Sequence, residues 1–271
     1  MSTVTELAHV ARLHYRRGLT RQEIGERLGL SRFRVGRMLE EALAQGVVRI
    51  EIEDRPQDDA TAAALEKAYG LDLAVVVPDA REIPDVAAGW LVQLLRPDEV
   101  LGVAWGTTLR ALAEEVVPTP LGTDVVQICG AVAGLRGGSG PSEVTLRLAE
   151  RLGGRAQLLP APAWTAARSE LVADPAVKPT LESFGRVTTA LVGIGARPGG
   201  GHVLVYEFDR DGKLLAPELQ AIALSLERLR SARVIAAAGG LRKRDAIRGA
   251  LRTGLLDVLV TDLACARHAL R

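Results

Sequence analysis

The chain has 271 residues, 48 % of them hydrophobic, and a formal net charge of +1, so it is not a general polyanion binder. The length fits a small domain of about 50 residues and a larger one of about 200. No apolar run reaches the roughly 18 residues of a membrane helix, and the first residues lack the layout of a signal peptide, so we expect a cytoplasmic protein. Two distant cysteines and four scattered histidines show no ligand spacing, so we predict no metal and no cofactor.

Residues 19–47 have the layout of a helix-turn-helix. Thr20 and Glu23 form a Thr-x-x-Glu capping box that begins one helix, and Gly29 ends it. Ser31 caps a second helix. The apolar residues on its inward face are Val35, Met38, Leu39 and Ala42. Because two short helices joined by a tight turn can place a helix in the major groove, the pattern predicts a DNA-binding domain.

The same segment is cationic. Eight arginines and two glutamates lie within residues 12–37, which suits phosphate contacts unless the cluster is an ordinary solvated face. Phe33, Arg34 and Arg37 are expected to point outward, where Arg can bridge guanine and an apolar side chain can meet a thymine methyl. Phe33 could instead pack on the preceding helix. The residues expected to contact operator DNA are Thr20, Arg21, Ser31, Arg32, Phe33, Arg34 and Arg37.

Two segments flank this motif. Residues 4–17 have apolar residues at helical spacing and predict a supporting first helix, in which His14 is a packed or hydrogen-bonded side chain. Residues 47–54 alternate apolar and polar side chains, which indicates a short strand or wing. A polar stretch with a proline follows, so we place the DNA-binding domain at 1–54 and an effector domain at 55–271.

The effector domain alternates strand-like and helix-like segments. The predicted strands cover residues 71–78, 99–105, 124–130, 188–195, 233–240 and 257–262. The predicted helices cover residues 83–95, 107–116 and 142–152. This alternation is typical of a Rossmann-like α/β domain with a mostly parallel sheet. Residues 202–215 contain an Asp-Gly turn and predict a hairpin insertion.

Ligands in such sheets bind at the carboxyl ends of strands. At Trp105-Gly106-Thr107-Thr108 a strand leads directly into a helix, whose N–H groups could hold a phosphate, although a plain capped turn has the same pattern. Ile128 to Gly134 begins a glycine-rich loop that does not match G-x-G-x-x-G, so we expect no nucleotide cofactor.

A third strand end carries the pair Gly239-Gly240, followed by Lys243. Lysine is rare here, since only 4 of the 34 Lys and Arg residues are lysines. Lys243 is therefore either a cation that meets an anionic ligand or an ordinary surface lysine.

These motifs together resemble the SorC-type sugar-binding transcriptional regulators over nearly the whole chain. The similar segments are VARLHYRRGLTRQEIGERLGLSRFRVGRMLEEALAQGVVRIEI, LGVAWGTTLRALAEEV, ALVGIG, FDRDG and GGLRKRDAIRGALRTGLLDVLVTD. The resemblance implies a repressor or activator of carbohydrate genes that forms dimers or tetramers. Its effector domain would be similar in fold to glucosamine-6-phosphate deaminase and ribose-5-phosphate isomerase and would sense a phosphorylated sugar.

The resemblance also implies effector-binding residues. These are Gly106, Thr107, Thr108, Gln127, Gly130, Gly239, Gly240, Lys243 and Asp262. The chain departs from the family at His202, where an acid is common, and at Arg34 and Gly36, where small polar residues are usual. The first departure bears on the identity of the sugar, and the second suggests a different operator.

The expected mechanism is linkage, in which a sugar phosphate shifts the population of an oligomer between arrangements of different DNA affinity. A sugar-phosphate isomerase or deaminase with a DNA-binding head is the alternative from another class. It needs a general base, for which Asp262 or Glu170 could serve, but no paired acid–base constellation accompanies them. We therefore expect no enzyme activity. A regulator that senses an unphosphorylated sugar or polyol is the remaining alternative.

Overall fold

The computed structural model describes residues 3–48, 57–132, 140–215 and 220–271. The predicted wing, apart from its first two residues, and the glycine-rich loop from residue 133 lie outside the described residues. The chain divides into two compact units, Met1–Arg55 and Pro56–Arg271.

The first unit is helical. It contains α1 (Val4–Ala11), a π-helical turn (Arg12–Arg16), α2 (Arg21–Leu28) and α3 (Arg32–Ala44). The Thr20 hydroxyl accepts a hydrogen bond from the Glu23 N–H at 3.2 Å, and the Glu23 carboxylate accepts one from the Thr20 N–H at 2.7 Å. Gly29 ends α2 with a φ of +67°, and the Ser31 hydroxyl caps α3. The predicted caps at Thr20, Gly29 and Ser31 are therefore all present in the structure.

A single apolar core joins the three helices. Its buried members are Leu7, Val10, Ala11, Leu13, Ile24, Val35, Met38, Leu39 and Ala42. The turn between α2 and α3 is tight because Gly25 has no side chain, since a Cβ there would overlap the carbonyl of Leu30. His14 donates through its ring Nδ1 to the Leu19 carbonyl at 2.9 Å, in agreement with its predicted structural role.

The second unit is an α/β domain. Its strands are β1 (Leu73–Val77), β2 (Val100–Val103), β3 (Asp124–Gln127), β4 (Ala156–Gln157), β5 (Trp164–Thr165), β6 (Thr189–Val192), β7 (Ile194–Arg197), β8 (Gly200–Val203), β9 (Tyr206–Asp209), β10 (Gln220–Ala221), β11 (Arg233–Ala237) and β12 (Val258–Asp262). Seven of them form a parallel sheet in the order β1-β12-β11-β6-β2-β3-β4. Consecutive residues of β6 and β12 are all buried, so both faces of this sheet are covered.

Helices alternate with these strands. They are α4 (Asp59–Tyr69), α5 (Ile83–Leu94), α6 (Thr107–Glu115), α7 (Pro141–Leu152), α8 (Arg168–Ala173), α9 (Lys178–Ser183), α10 (Leu226–Ser231), α11 (Arg244–Arg252) and α12 (Leu263–Ala269). Helices α5, α6 and α7 pack side by side, and α12 packs between α4 and α11. The predicted α/β class and parallel sheet are confirmed.

The insertion differs from the prediction. The strand expected over 188–195 ends at Val192, and Gly193 separates it from β7, because the chain turns there into a second, antiparallel sheet. This sheet is the meander β7-β8-β9 rather than one hairpin. The Asp-Gly turn does form, with a φ of +82° at Gly212, but among the described residues that follow it the pairing is a single bridge from Leu214 to Phe208.

The strand order places a crevice at one position. From β2 the chain proceeds outward through β3 and β4, whereas from β6, the neighbour of β2, it proceeds the other way through β11 and β12. The connections that follow β2 and β6 therefore diverge at their carboxyl ends. Open α/β sheets bind ligands at such a reversal of strand order.

Candidate functional site

A cavity of about 180 Å³ lies at the carboxyl ends of β2 and β6. Its lining residues are Ala104, Trp105, Gly106, Thr107, Thr108, Leu109, Gly193, Ile194, Gly195, His202, Leu204 and Lys243. The turn after β2, the start of α6, the meander and the segment after β11 thus converge on one pocket. It brings together four of the predicted effector residues: Gly106, Thr107, Thr108 and Lys243.

One wall of the pocket is the beginning of α6. Gly106 precedes the helix with a φ of +147°, a conformation that a residue with a Cβ rarely adopts. The N–H groups in the first turn of any helix have no intrahelical acceptor, and no side chain of the described residues caps them here. Together with the hydroxyls of Thr107 and Thr108, they present hydrogen-bond donors and a partial positive charge to the cavity, which suits an anion.

The Gly239-Gly240 turn positions Lys243. Gly240 has a φ of +95°, and its N–H donates to the Asp262 carboxylate at 2.7 Å. The other carboxylate oxygen of Asp262 accepts from the Cys265 N–H at 3.0 Å and caps α12. A Cβ on Gly239 would overlap both Ile83 and Asp262, so this position has no room for a side chain. Asp262 and the two glycines therefore shape the turn, and Lys243 is the member that reaches the pocket.

The Lys243 ammonium is a half-buried cation. Within the described residues it makes no hydrogen bond and no ion pair. Burial lowers its pKa, and the nearby Cys265 thiol acts in the opposite direction. A partly buried cation without a counter-charge is unfavourable, so the binding of an anion next to this ammonium lowers the free energy of the protein.

The pocket contains a pair of rings that the sequence did not predict as ligand contacts. The His202 ring lies 5.7 Å from the Trp105 ring, centroid to centroid, at an interplanar angle of 33°. Gly195 pairs with His202 across β7 and β8, and a Cβ on Gly195 would overlap the imidazole. The family departure at His202 was the one sequence feature that pointed to this position.

Gln127 and Gly130 take part in packing instead of lining the cavity. The Gln127 amide is fully buried and donates to the carbonyls of Cys129 and Leu159, while its oxygen accepts from Ser142. Gly130 lies so close to Pro162 that a Cβ would overlap its carbonyl. Glu170, nominated as a general base, is exposed on α8 and is not part of the cavity lining.

The first unit presents a concave surface beside the start of α3. It is lined by Thr20, Arg21, Gln22, Arg32, Phe33, Gly36, Arg37 and Glu40. Phe33 is 71 % exposed, so it does not pack on the preceding helix, and the Arg32 guanidinium lies 4.8 Å from its ring centroid. The cationic groups and the exposed ring suit phosphates and base edges. Gln22, Gly36 and Glu40 also line this surface and were not predicted as DNA contacts from the sequence.

Arg34 and Ser31 are not among the residues that line this surface, and Thr20, which does line it, also caps a helix. Arg34 is half-buried on another side of α3, in a groove with Glu6 and Met38, because it precedes the inward-facing Met38 by one helical turn. Hydrogen bonds from Thr3 lower the pKa of Glu6, and the charge of Arg34 contributes to the same shift. The hydroxyls of Thr20 and Ser31 accept hydrogen bonds from main-chain N–H groups at the helix starts.

In residues 3–48, 57–132, 140–215 and 220–271, no group of three or more His, Cys, Asp or Glu side chains could hold a metal ion. No helix in the same ranges is long and apolar enough to cross a membrane.

A family model, relatives in sequence and solved structures all relate this chain to sugar-binding transcriptional regulators. The family model described as "Putative sugar-binding domain" matches residues 56–204 and 197–271. The chain is 31 % identical over 295 residues to the erythritol catabolism regulatory protein EryD of Brucella abortus, with 94 % of this chain and 93 % of the relative covered. It is 28 % identical to the deoxyribonucleoside regulator of Bacillus subtilis, with 95 % and 94 % covered.

The solved structures agree in fold. The full-length sorbitol operon regulator SorC from Klebsiella pneumoniae matches with a TM-score of 0.74 at 24 % identity, and the match covers 99 % of both chains. The family model matches the second unit, and the relatives named above extend over both units.

Proposed function

The chain belongs to the SorC-type sugar-binding transcriptional regulators, and from this premise we propose that a sugar phosphate in the second-unit pocket controls operator binding by the first unit. The observation that carries the phosphate assignment is the convergence of Lys243 and the uncapped start of α6 on one cavity. A monoanion or dianion placed there meets helix N–H groups, threonine hydroxyls and an ammonium together.

Operator binding is assigned to the concave surface of the first unit, within residues 1–54. Arg21, Arg32 and Arg37 supply phosphate or guanine contacts, and the exposed Phe33 supplies an apolar contact in the groove. We further propose a dimer or tetramer of this chain, since paired recognition helices read two half-sites of an operator.

Sensing rather than turnover is the better account of the pocket. No carboxylate is found among its described lining residues, and both oxygens of Asp262 already accept main-chain hydrogen bonds. An isomerase or deaminase needs a base within reach of the sugar carbons. Incubation of the protein with sugar phosphates, followed by product analysis, tests this: turnover would contradict the assignment.

A ligand panel tests the phosphate assignment. Erythritol 4-phosphate, ribose 5-phosphate and sorbitol 6-phosphate are compared with the same compounds without phosphate by thermal denaturation, since a ligand specific to the native state raises the melting midpoint. We expect a phosphorylated member to raise the midpoint and its unphosphorylated counterpart to do so much less. Equal shifts from both members of a pair would favour the regulator of an unphosphorylated sugar or polyol.

A further inference from the structure

The hydrogen-bonding groups of the pocket are unevenly distributed. The ammonium of Lys243 and the main-chain N–H groups of α6 are donors, and the described lining holds no carboxylate or side-chain amide. A sugar or polyol, however, carries hydroxyl groups that each need an acceptor for their proton when they are buried. Apart from the hydroxyls of Thr107 and Thr108, the side chain able to supply such an acceptor is the imidazole of His202.

The hydrogen bond to Leu204 fixes the tautomer of this imidazole. The ring Nδ1 lies 3.1 Å from the Leu204 carbonyl, which can only accept, so Nδ1 carries the proton. Leu204 has a φ of +52°, a left-handed conformation that is unusual for a residue with a side chain, at the turn between β8 and β9. In the neutral ring, Nε2 then carries a lone pair, and within the described residues it has no hydrogen-bond partner.

The surroundings of His202 favour the neutral ring. Burial lowers its pKa, and the charges of Lys243 and Arg197 act in the same direction, whereas the bond to Leu204 and the charge of Glu207 oppose them. Arg197 and Glu207 form an ion pair with each other, so their effects on the ring partly cancel. Lys243 remains the nearby unpaired charge, and it disfavours a second cation.

The geometry points to His202 as a specificity-determining residue, whose neutral imidazole accepts through Nε2 a hydrogen bond from a hydroxyl of the ligand. This inference rests on the proposed function, because it describes the end of the ligand that the phosphate site does not hold. The lone pair repels a carboxylate, so the preferred ligand is a hydroxyl-bearing monophosphate rather than a phosphorylated acid. A site built to bind a hydroxyl discriminates strongly against an analogue that lacks it.

The proton position can be tested without any ligand. Nitrogen-15 NMR of the histidine rings distinguishes the two neutral tautomers, and the resonance absent from the His202→Phe variant belongs to His202. We expect the Nδ1–H form at pH 7.5, and we expect the pKa of the His202 ring to lie below the pKa of a solvated imidazole. An Nε2–H tautomer at pH 7.5 would overturn the inference, because Nε2 would then be a donor.

Affinity measurements test the ligand contact. The His202→Phe variant keeps an aromatic ring over Gly195 and removes both nitrogens, and His202→Gln restores an acceptor. Calorimetry with inorganic phosphate and with the best-binding of erythritol 4-phosphate, ribose 5-phosphate and sorbitol 6-phosphate gives two affinities for each protein. We expect His202→Phe to weaken the sugar phosphate about five- to tenfold and His202→Gln to recover part of it, with inorganic phosphate unchanged.

The pH profile and the controls separate the possible failures. Between pH 7.5 and 5.5 the wild type should lose sugar-phosphate affinity more steeply than His202→Phe does, since the ionisation of the phosphate itself is common to both proteins. Equal affinities in wild type and His202→Phe, or sugar phosphates that bind no better than inorganic phosphate, would overturn the role of His202. Binding of inorganic phosphate that does not depend on Lys243 would instead overturn the proposed function.

Discussion

Replacement of Lys243 by methionine isolates the charge in the pocket. Methionine keeps an unbranched apolar side chain of similar length and removes the ammonium. In the ligand-free protein this ammonium is half-buried, and burial lowers its pKa, so its removal deletes a cost rather than a contact. We therefore expect the melting midpoint of the ligand-free variant to equal or exceed that of the wild type.

The same substitution should be severe for the ligand. A hydrogen bond between a charged donor and a phosphate contributes about 1.5–3 kcal/mol, which corresponds to a roughly ten- to hundredfold loss of affinity. Calorimetry with the sugar phosphates of the panel measures this loss. The matched control is Lys213→Met, because Lys213 is exposed near the Asp-Gly turn and is not part of the cavity lining.

Operator binding by the ligand-free variant should remain at the wild-type level, since Lys243 lies in the second unit. Fluorescence anisotropy with a labelled operator, selected from random duplexes, measures it. Wild-type ligand affinity in Lys243→Met would refute the reasoning about the unpaired cation. An equal loss in Lys213→Met would show that general charge, rather than the pocket, attracts the ligand.

Three other outcomes follow from the structure. Arg37→Ala should weaken operator binding by about 1–3 kcal/mol if Arg37 contacts a base. Arg34→Ala should weaken operator binding less, because Arg34 lies in the groove with Glu6. Parallel anisotropy titrations compare the two variants. Thr20→Ala should lower the free energy of unfolding by about 0.5–2 kcal/mol in urea, through loss of the α2 cap, and an unchanged midpoint would contradict that role. Burial lowers the pKa of His202 in the folded protein. As the pH falls below about 6.5, the unfolded chain therefore binds a proton that the folded chain takes up only at lower pH, and the free energy of unfolding declines. Thermal scans at decreasing pH should show a smaller decline in His202→Phe.

Local features were predictable from the sequence because they depend on neighbouring residues. The capping box of Thr20 and Glu23, the left-handed Gly29 and the Ser31 cap each involve residues a few positions apart. The parallel sheet was predictable for a similar reason, since a strand buried on both faces appears as a continuous apolar run. The start of α6 after Gly106 belongs to the same class, because a strand that leads directly into a helix is visible in sequence.

Features that depend on distant contacts were not predictable. His202 reaches the pocket because β8 folds back on β7 over Gly195, and the predicted single strand over 188–195 does not include this pairing. Gln127 is the last residue of β3, which ends three residues before the predicted end at residue 130, and the Gln127 amide is occupied by main-chain groups of its own fold. Helical spacing alone did not decide the direction of Arg34, which lies at the border of the apolar face of α3.

The central claim is that the pocket and the DNA-contact surface are thermodynamically linked, and one titration tests it directly. Operator binding by the wild type is measured by anisotropy with and without a saturating sugar phosphate whose binding requires Lys243. Linkage between two sites typically corresponds to a five- to 150-fold change in affinity, so we expect a shift of at least about fivefold. A ligand that saturates the pocket and raises the melting midpoint, yet leaves the operator titration unchanged, would contradict the account.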